Sequence, residues 1–196
     1  MTDRRTSDRR RELVRAAIRV FARKGFHAAR VGDIAEEAGV AHGLLYHYFR
    51  SKEDVLETIF RETWTRLVEQ THAIEASDVP LREQIRRFAS IFLGSWLLTP
   101  SLARVIIREI ARSPEVNKRV EEIREVFVSL TRMIEKAQAR GELRRELDPL
   151  LATWILYGAL EEILTGWVLG QLPGEDEDVD RAVASVVDVF SAGMAA

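Results

Sequence analysis

Apolar residues recur along almost the whole chain at intervals of three and four, the period of a helix with one face turned inward. Leu13, Val14, Ala17, Ile18 and Phe21 predict a helix over residues 7–24, and Gly25 suits the left-handed position after a helix end. Short helices fit Val31 to Ala38, closed by Gly39, and His42 to Phe49. Ser51 with Asp54 has the spacing of a capping box and opens a fourth helix through Val55, Leu56, Ile59, Phe60, Trp64, Leu67 and Val68. Turn residues at 76–80 end that pattern. An apolar helix then reaches Leu98, a break falls at Thr99-Pro100, and a further helix fits Ser101 to Arg112. Ser113-Pro114 opens a long amphipathic helix carrying Val116, Val120, Ile123, Phe127, Leu130 and Ile134, which ends at Gly141. Asp148-Pro149 opens a strongly apolar one through Trp154, Tyr157, Leu160, Leu164 and Trp167, an acidic loop covers 170–178, and a last helix spans about Val179 to Met194. No segment alternates as a strand does, so the chain is expected to be all-α, with about nine helices and no internal repeat.

A length of 196 residues gives room for one large domain or two small ones with a real buried core. The 46% hydrophobic and 31% charged composition is that of a globular protein rather than a disordered one. Cysteine is absent, which removes disulfides, thiolate metal sites and cysteine nucleophiles. The start is charged where a signal peptide needs an apolar stretch, and no apolar run approaches the ~18 residues of a membrane span; a cytoplasmic protein with no membrane partner is expected. Four histidines, at 27, 42, 47 and 72, show no metal-binding spacing, and neither a nucleophile elbow nor a glycine-rich phosphate loop is present. The expectation is no catalytic residue, no metal ligand and no cofactor, hence not an enzyme.

Charge is unevenly shared. Residues 1–52 hold 12 Lys and Arg against 6 Asp and Glu, and the remainder holds 17 against 25, so a head of +6 precedes a body of −8. Such a head suits a polyanion. Between residues 31 and 49, Ile34, Ala35, Ala38, Val40, Leu45 and Phe49 can pack together if two short helices cross steeply, with Gly39 permitting the turn. That is the geometry of a helix-turn-helix, whose second helix enters the DNA major groove by its N-terminal end. The outward positions are His42, Gly43, Tyr46 and His47, and Lys52 adds a cation beside phosphate-facing helix starts. Arg4, Arg5, Arg9, Arg10 and Arg11 form a basic arm that either reaches DNA or is solvated.

The segments Gly25-Phe26, Asp33-Ile34-Ala35, Ala38-Gly39-Val40, Gly43, Leu45 through Phe49 and Ser51-Lys52-Glu53 resemble the DNA-binding domain of TetR-type transcriptional repressors over residues 7–55. The resemblance implies a homodimer on a palindromic double-stranded operator, a DNA-binding domain over 1–52, and a helical ligand-binding and dimerisation domain over 53–196. It also implies DNA contacts at Arg30, Ala41, His42, Gly43, Tyr46, His47 and Lys52. Arg30 stands where a capping Thr is frequent and Ala41 where Ser is frequent, a loss typically of about 1 kcal/mol per cap.

The body is rich in aromatic residues, and Phe88 and Phe92 at helical spacing fit either core or pocket. Ile107 to Ile110, Gly141 to Leu143, Asp148 to Ala152 and Gly158 to Val168 resemble the fatty-acid-responsive FadR subgroup, whose members release DNA on binding long-chain acyl-CoA. On that resemblance Phe88, Phe92, Trp96, Ile106, Ile110, Phe127, Leu130, Trp154 and Tyr157 are expected at an apolar small-molecule inducer. Arg104, Arg108 and Arg112 share one helix face, either for coenzyme A phosphates or as a solvated face paired with Glu109 or Glu115. Glu161 and Glu162 fit either a cationic, drug-like ligand, as in a repressor of an efflux gene, or the rim of a dimer interface. That interface is expected to use Ile155, Ala159, Ile163, Trp167, Val183, Val187 and Phe190.

Overall fold

A computed structural model of the chain describes residues 2–109 and 120–194. Among them stand nine helices and no strand: α1 (Thr2–Lys24), α2 (Val31–Glu37), α3 (His42–Leu45), α4 (Lys52–Glu75), α5 (Leu81–Leu98), α6 (Pro100–Glu109), α7 (Val120–Ala139), α8 (Pro149–Val168) and α9 (Asp176–Met194). The all-α reading holds. The expected start of α7 at Ser113-Pro114 lies outside the described residues.

Two expectations change at the N-terminal end. Helix α1 reaches back to Thr2, so the backbone from Arg4 to Arg11 is helical where the sequence suggested an arm before the helix. Arg9 pairs with Glu12 at 2.6 Å and Arg11 with Asp8 at 3.1 Å, one turn apart on the helix. Arg10 points inward, donating to Glu62 at 2.6 Å and to Thr58 Oγ1 at 3.3 Å, with its guanidinium 5.2 Å from the Phe49 ring centre. Helix α3 is shorter than expected, ending at Leu45 rather than Phe49. His47 and Tyr48 donate to the carbonyls three residues back, at 3.2 and 3.0 Å, which tightens the chain and swings Phe49 into the core.

The described residues form two compact units, 2–63 with 101–109, and 64–100 with 120–194. Helix α4 runs through both. In the first unit, Leu13, Ala16, Ala17, Val20 and Phe21 make a buried stripe on α1, joined by Phe26, Ile34, Ala35, Leu45, Phe49, Val55, Leu56, Ile59 and Phe60. Phe21 and Phe26 meet edge to face at 5.3 Å between ring centres. Helix α6 belongs to this unit: Ala103 and Val105 are buried, and Arg108 donates to the Ala22 carbonyl of α1 at 3.4 Å.

In the second unit α5 packs on α8 and α9, and α7 on α8. Phe88, Leu93, Met133, Ile134, Leu156, Leu160 and Val187 form its centre. Asp148 caps α8 by accepting from the Leu150 and Leu151 N–H groups at 2.8 and 3.1 Å, and Pro149 takes the first helical position, where a missing N–H costs nothing. Buried Gln84 donates to the Ile74 and Ser77 carbonyls, closing the turn between α4 and α5.

Candidate functional site

The two short helices of the first unit are fixed by their own ends. Gly39 sits at φ 65° beyond α2; its N–H reaches the Glu36 carbonyl and the Val40 N–H reaches the Ala35 carbonyl, both at 3.0 Å. This pair of bonds is a Schellman closure, which needs a left-handed residue that glycine adopts without strain. Gly39→Ala is expected to destabilise the unit by about 1 kcal/mol through that strain, seen as a lower thermal midpoint with an unchanged helical circular dichroism spectrum. A wild-type midpoint would show that the turn tolerates a side chain.

At the other end of α2, neither Arg30 nor, before α3, Ala41 supplies a side-chain cap. Asp33 compensates in part: its carboxylate accepts the Arg30 N–H at 2.8 Å and pairs with Lys24 at 2.8 Å. These bonds, Lys24 first, hold its carboxyl below the usual aspartate range. Glu37 pairs with Arg19 at 2.6 Å and Arg23 at 3.0 Å, and both guanidinium contacts lower its carboxyl too. Helix α2 is thus fastened to α1 at both its ends.

Helix α3 and the turn that follows it expose His42, Gly43, Tyr46 and His47 to solvent, with Arg30 and Ala41 exposed as well. The His42 and Tyr46 rings meet edge to face at 5.7 Å, and a methyl group added at Gly32 would meet the His42 ring at 3.4 Å. Leu45, on the opposite side, is fully buried. A short helix exposing hydrogen-bonding side chains on its first turns and anchored by one core leucine is suited to a major groove.

Lys52, expected beside DNA phosphates, is the first residue of α4 and has partners within the chain. Its ammonium donates to the carbonyls of Phe26, His27 and Ala29 at 3.0, 3.1 and 3.1 Å and lies 4.7 Å from the Phe26 ring centre. An ammonium has three donors, and all three are used. At the start of the same helix Ser51 Oγ accepts the Asp54 N–H at 3.3 Å, while Asp54 accepts from Arg50 at 2.9 Å. The expected capping pair is present, with its return bond displaced by one residue.

In the second unit a chain of rings crosses three helices. Phe88 lies 6.0 Å from Phe92, Phe92 5.4 Å from Tyr157, Tyr157 4.6 Å from Phe127, and Phe127 4.5 Å from Trp154. Phe88, Phe127, Leu130 and Tyr157 are buried and Phe92 is half-buried. Burial, and then nearby Glu161, push the Tyr157 hydroxyl far above the ordinary phenol range. Glu161 is raised by burial and then by Glu162. Trp154 departs from the others: it is 58% exposed and stands over a groove of about 590 Å³ lined also by Ile123, Phe127, Val128, Thr131 and Leu150. Trp96 is buried, donates its indole N–H to the Gly174 carbonyl at 2.9 Å and lies beside Trp167 at 6.2 Å, so it anchors the loop between α8 and α9. Arg104, Ile106 and Arg108 lie on α6, in the other unit, with the first two half-buried. Ile110 and Arg112 lie outside the described residues.

The residues expected at a dimer interface divide sharply. Trp167, Val183, Val187 and Phe190 are buried within their own unit, because α9 turns its apolar stripe toward α5; they do not face outward. Ile155 is 65% exposed, and Ala159 and Ile163 are half-buried. Leu151, Gly158 and Glu162 continue the exposed row of α8, while Ser185 and Val189 face outward from α9. The spacing of 151, 155, 158 and 162 is helical, but α8 carries apolar residues on every side, with Glu161 and Glu162 its sole carboxylates, so periodicity alone does not reveal which stripe is exposed.

Among the described residues no group of three or more His, Asp or Glu could hold a metal ion, and no single helix is long and apolar enough to cross a membrane.

Comparison with known proteins accounts for both units. The family model for bacterial regulatory proteins of the tetR family matches residues 13–59, and that for the YsiA-like protein C-terminal region matches residues 60–187. The fatty acid metabolism regulator protein of Bacillus subtilis (strain 168) is 27% identical over 185 residues, covering 93% of this chain and 94% of that one. The fatty acid degradation regulator FadR of Bacillus halodurans superposes with a TM-score of 0.80 at 28% identity, over 93% of this chain and 97% of its own. FadR of Bacillus subtilis in complex with stearoyl-CoA superposes at 0.75 with 26% identity, over the same shares. With a helix-turn-helix head and a helical body matched end to end, the chain belongs to the TetR family of bacterial transcriptional regulators and is similar to its FadR fatty-acid regulators.

Proposed function

We propose that this TetR-type repressor binds a palindromic operator as a homodimer and leaves it on binding long-chain acyl-CoA, so controlling genes of fatty-acid degradation. The observation that carries the ligand class is the ring chain from Phe88 through Phe92 and Tyr157 to Phe127, continuous and almost wholly apolar. The similarity to a FadR whose structure holds stearoyl-CoA supports the same class. In this reading His42, Gly43, Tyr46 and His47 touch base edges and phosphates, with Arg30 and Ala41 at the margin. Leu151, Ile155, Ala159 and Ile163 of α8, with Val189 of α9, meet their counterparts in a second copy. Two heads on one dimer then meet major grooves about 34–36 Å apart. Acyl-CoA acts by binding better to a dimer whose heads no longer match that spacing.

Glu161 favours a second reading, a cationic or aromatic drug-like inducer controlling an efflux gene, because it sets a half-buried carboxyl one helical turn from Tyr157. Native mass spectrometry of the purified chain, followed by denaturing extraction, separates the two. A dimer carrying an acyl-CoA that then releases a selected duplex is the expected result. An empty dimer released from DNA by organic cations and not by acyl-CoA would overturn the lipid reading.

A further inference from the structure

We infer that Arg10 is a positioning residue of the DNA-reading head, holding the turn after α3 in register with α4; the inference rests on the DNA-binding role of that head. One guanidinium meets three groups from two parts of the chain. Its Nη1 donates to Glu62 at 2.6 Å and its Nη2 to Thr58 Oγ1 at 3.3 Å. Its central carbon lies 5.2 Å from the Phe49 ring centre, within the roughly 6 Å reach of a cation–π contact. All four residues belong to the same compact unit. Thr58 is 1% exposed and Phe49 2%, so the hydroxyl and the ring depend on the protein for their contacts.

The shape of the side chain matters as much as its charge. Thr58 and Glu62 stand one turn apart on α4, and the terminal nitrogens of a guanidinium are fixed in one plane. Gripping both sets the rotation of α4 about its axis as well as its distance from α1. Phe49 carries the grip to the reading surface. Its N–H bonds to the Leu45 carbonyl at 2.9 Å, and Leu45 is the fully buried anchor of α3. Tyr46 and His47 lie between these two fixed points, so their aim depends on where Phe49 sits beside Arg10. Arg10 and Glu62 are each partly exposed, at 32% and 39%, so replacing either leaves no buried charge and should leave the head folded.

Two variants separate positioning from the alternatives. Glu62→Gln removes the partner's charge and leaves Arg10 in place, while Arg10→Lys keeps the charge and removes the fork. An arginine that served only as a phosphate cation would be freed by the first change, and binding would tighten on any DNA; in the second, lysine would replace it. Loss of a positioning arginine weakens binding in both cases, and only where side chains must meet particular bases. The test uses the full chain, a duplex selected from a random pool by the wild type, and poly(dI-dC) as the unselected competitor. For each variant we expect affinity for the selected duplex to fall by about fivefold or more, because a dimer carries the change twice. Binding to poly(dI-dC) and both salt slopes should be unchanged, and the double variant should be no weaker than the weaker single one, since the pair acts as a unit. Tighter binding by Glu62→Gln, wild-type affinity in either folded variant, additive losses in the double variant, or equal loss on both DNAs would overturn the inference. A second measurement needs no DNA. Because Arg10→Lys keeps the charge, a displaced His47 ring resonance in the free protein reports a change of geometry, and an unmoved one would equally overturn the inference. Failure of the wild type to select any duplex would count against the repressor reading, while the His47 resonance still decides the positioning.

Discussion

Ile155→Glu is expected to yield a folded monomer whose affinity for the operator is lower by about a hundredfold or more. Ile155 is 65% exposed on α8, Leu151 one turn earlier is 60% exposed, and Val189 of α9 is 70% exposed. An exposed side chain tolerates a carboxylate in the monomer, so folding should be unaffected. At a two-fold interface each substitution appears twice, and two carboxylates are brought together where apolar side chains met. Losing the dimer separates the two DNA-reading heads, and the gain from linked binding, commonly 10²–10⁴, goes with it. Val187→Glu is the matched control. It places the same charge on α9 at a position with no exposure, and the expected outcome there is loss of the fold rather than of the dimer. Analytical ultracentrifugation with circular dichroism distinguishes the cases. A folded Ile155→Glu dimer with normal DNA binding would move the interface away from this face of α8.

The contrast between Ile155 and Val187 also shows where the sequence is legible. Signals that act within one or two turns were readable: Gly39 after α2, the Ser51 and Asp54 cap, and Asp148-Pro149 before α8 each depend on backbone bonds to near neighbours. Helices with one polar face, such as α1, declared which side they bury. Helix α8 did not, because Leu151, Ile155, Leu156 and Leu160 look alike in sequence while only the last two are buried. The stripe of α9 was recognised as apolar, but whether it met a partner or α5 is decided by tertiary packing. Lys52 is the sharper case. Its partners lie 23 to 26 residues away and are backbone carbonyls, which carry no side-chain signature. The motif around it identified the family while leaving its bonding unreadable. Trp96 was similarly ambiguous, since an aromatic on an apolar helix face serves a cavity or a loop anchor equally well until Gly174 is seen to accept its N–H.

Affinity for acyl-CoA is expected to climb steeply with chain length, which makes chain length the most sensitive probe of the second unit. Each methylene transferred from water to an apolar site contributes about 0.8 kcal/mol, roughly a fourfold gain. Lengthening the acyl group from twelve to sixteen carbons should therefore lower the concentration that releases half the DNA by about two hundredfold, provided the site is long enough. The profile should flatten once the chain outruns the ring series from Phe92 to Phe127, and that break measures the usable length of the site. Tyr157, pushed far above the ordinary phenol range by burial, stays protonated at any working pH and does not set a charge against the chain. Glu161 gives the discriminating variant. Its carboxyl is raised by burial and by Glu162, so its neutral form is more accessible than that of an ordinary glutamate, a form compatible with a neighbouring acyl chain. Glu161→Gln should then leave the chain-length profile intact, whereas a cation-sensing site would lose its response altogether. A flat profile from twelve to sixteen carbons, or release by coenzyme A alone, would place the binding energy in the nucleotide end and remove the ring chain from the site.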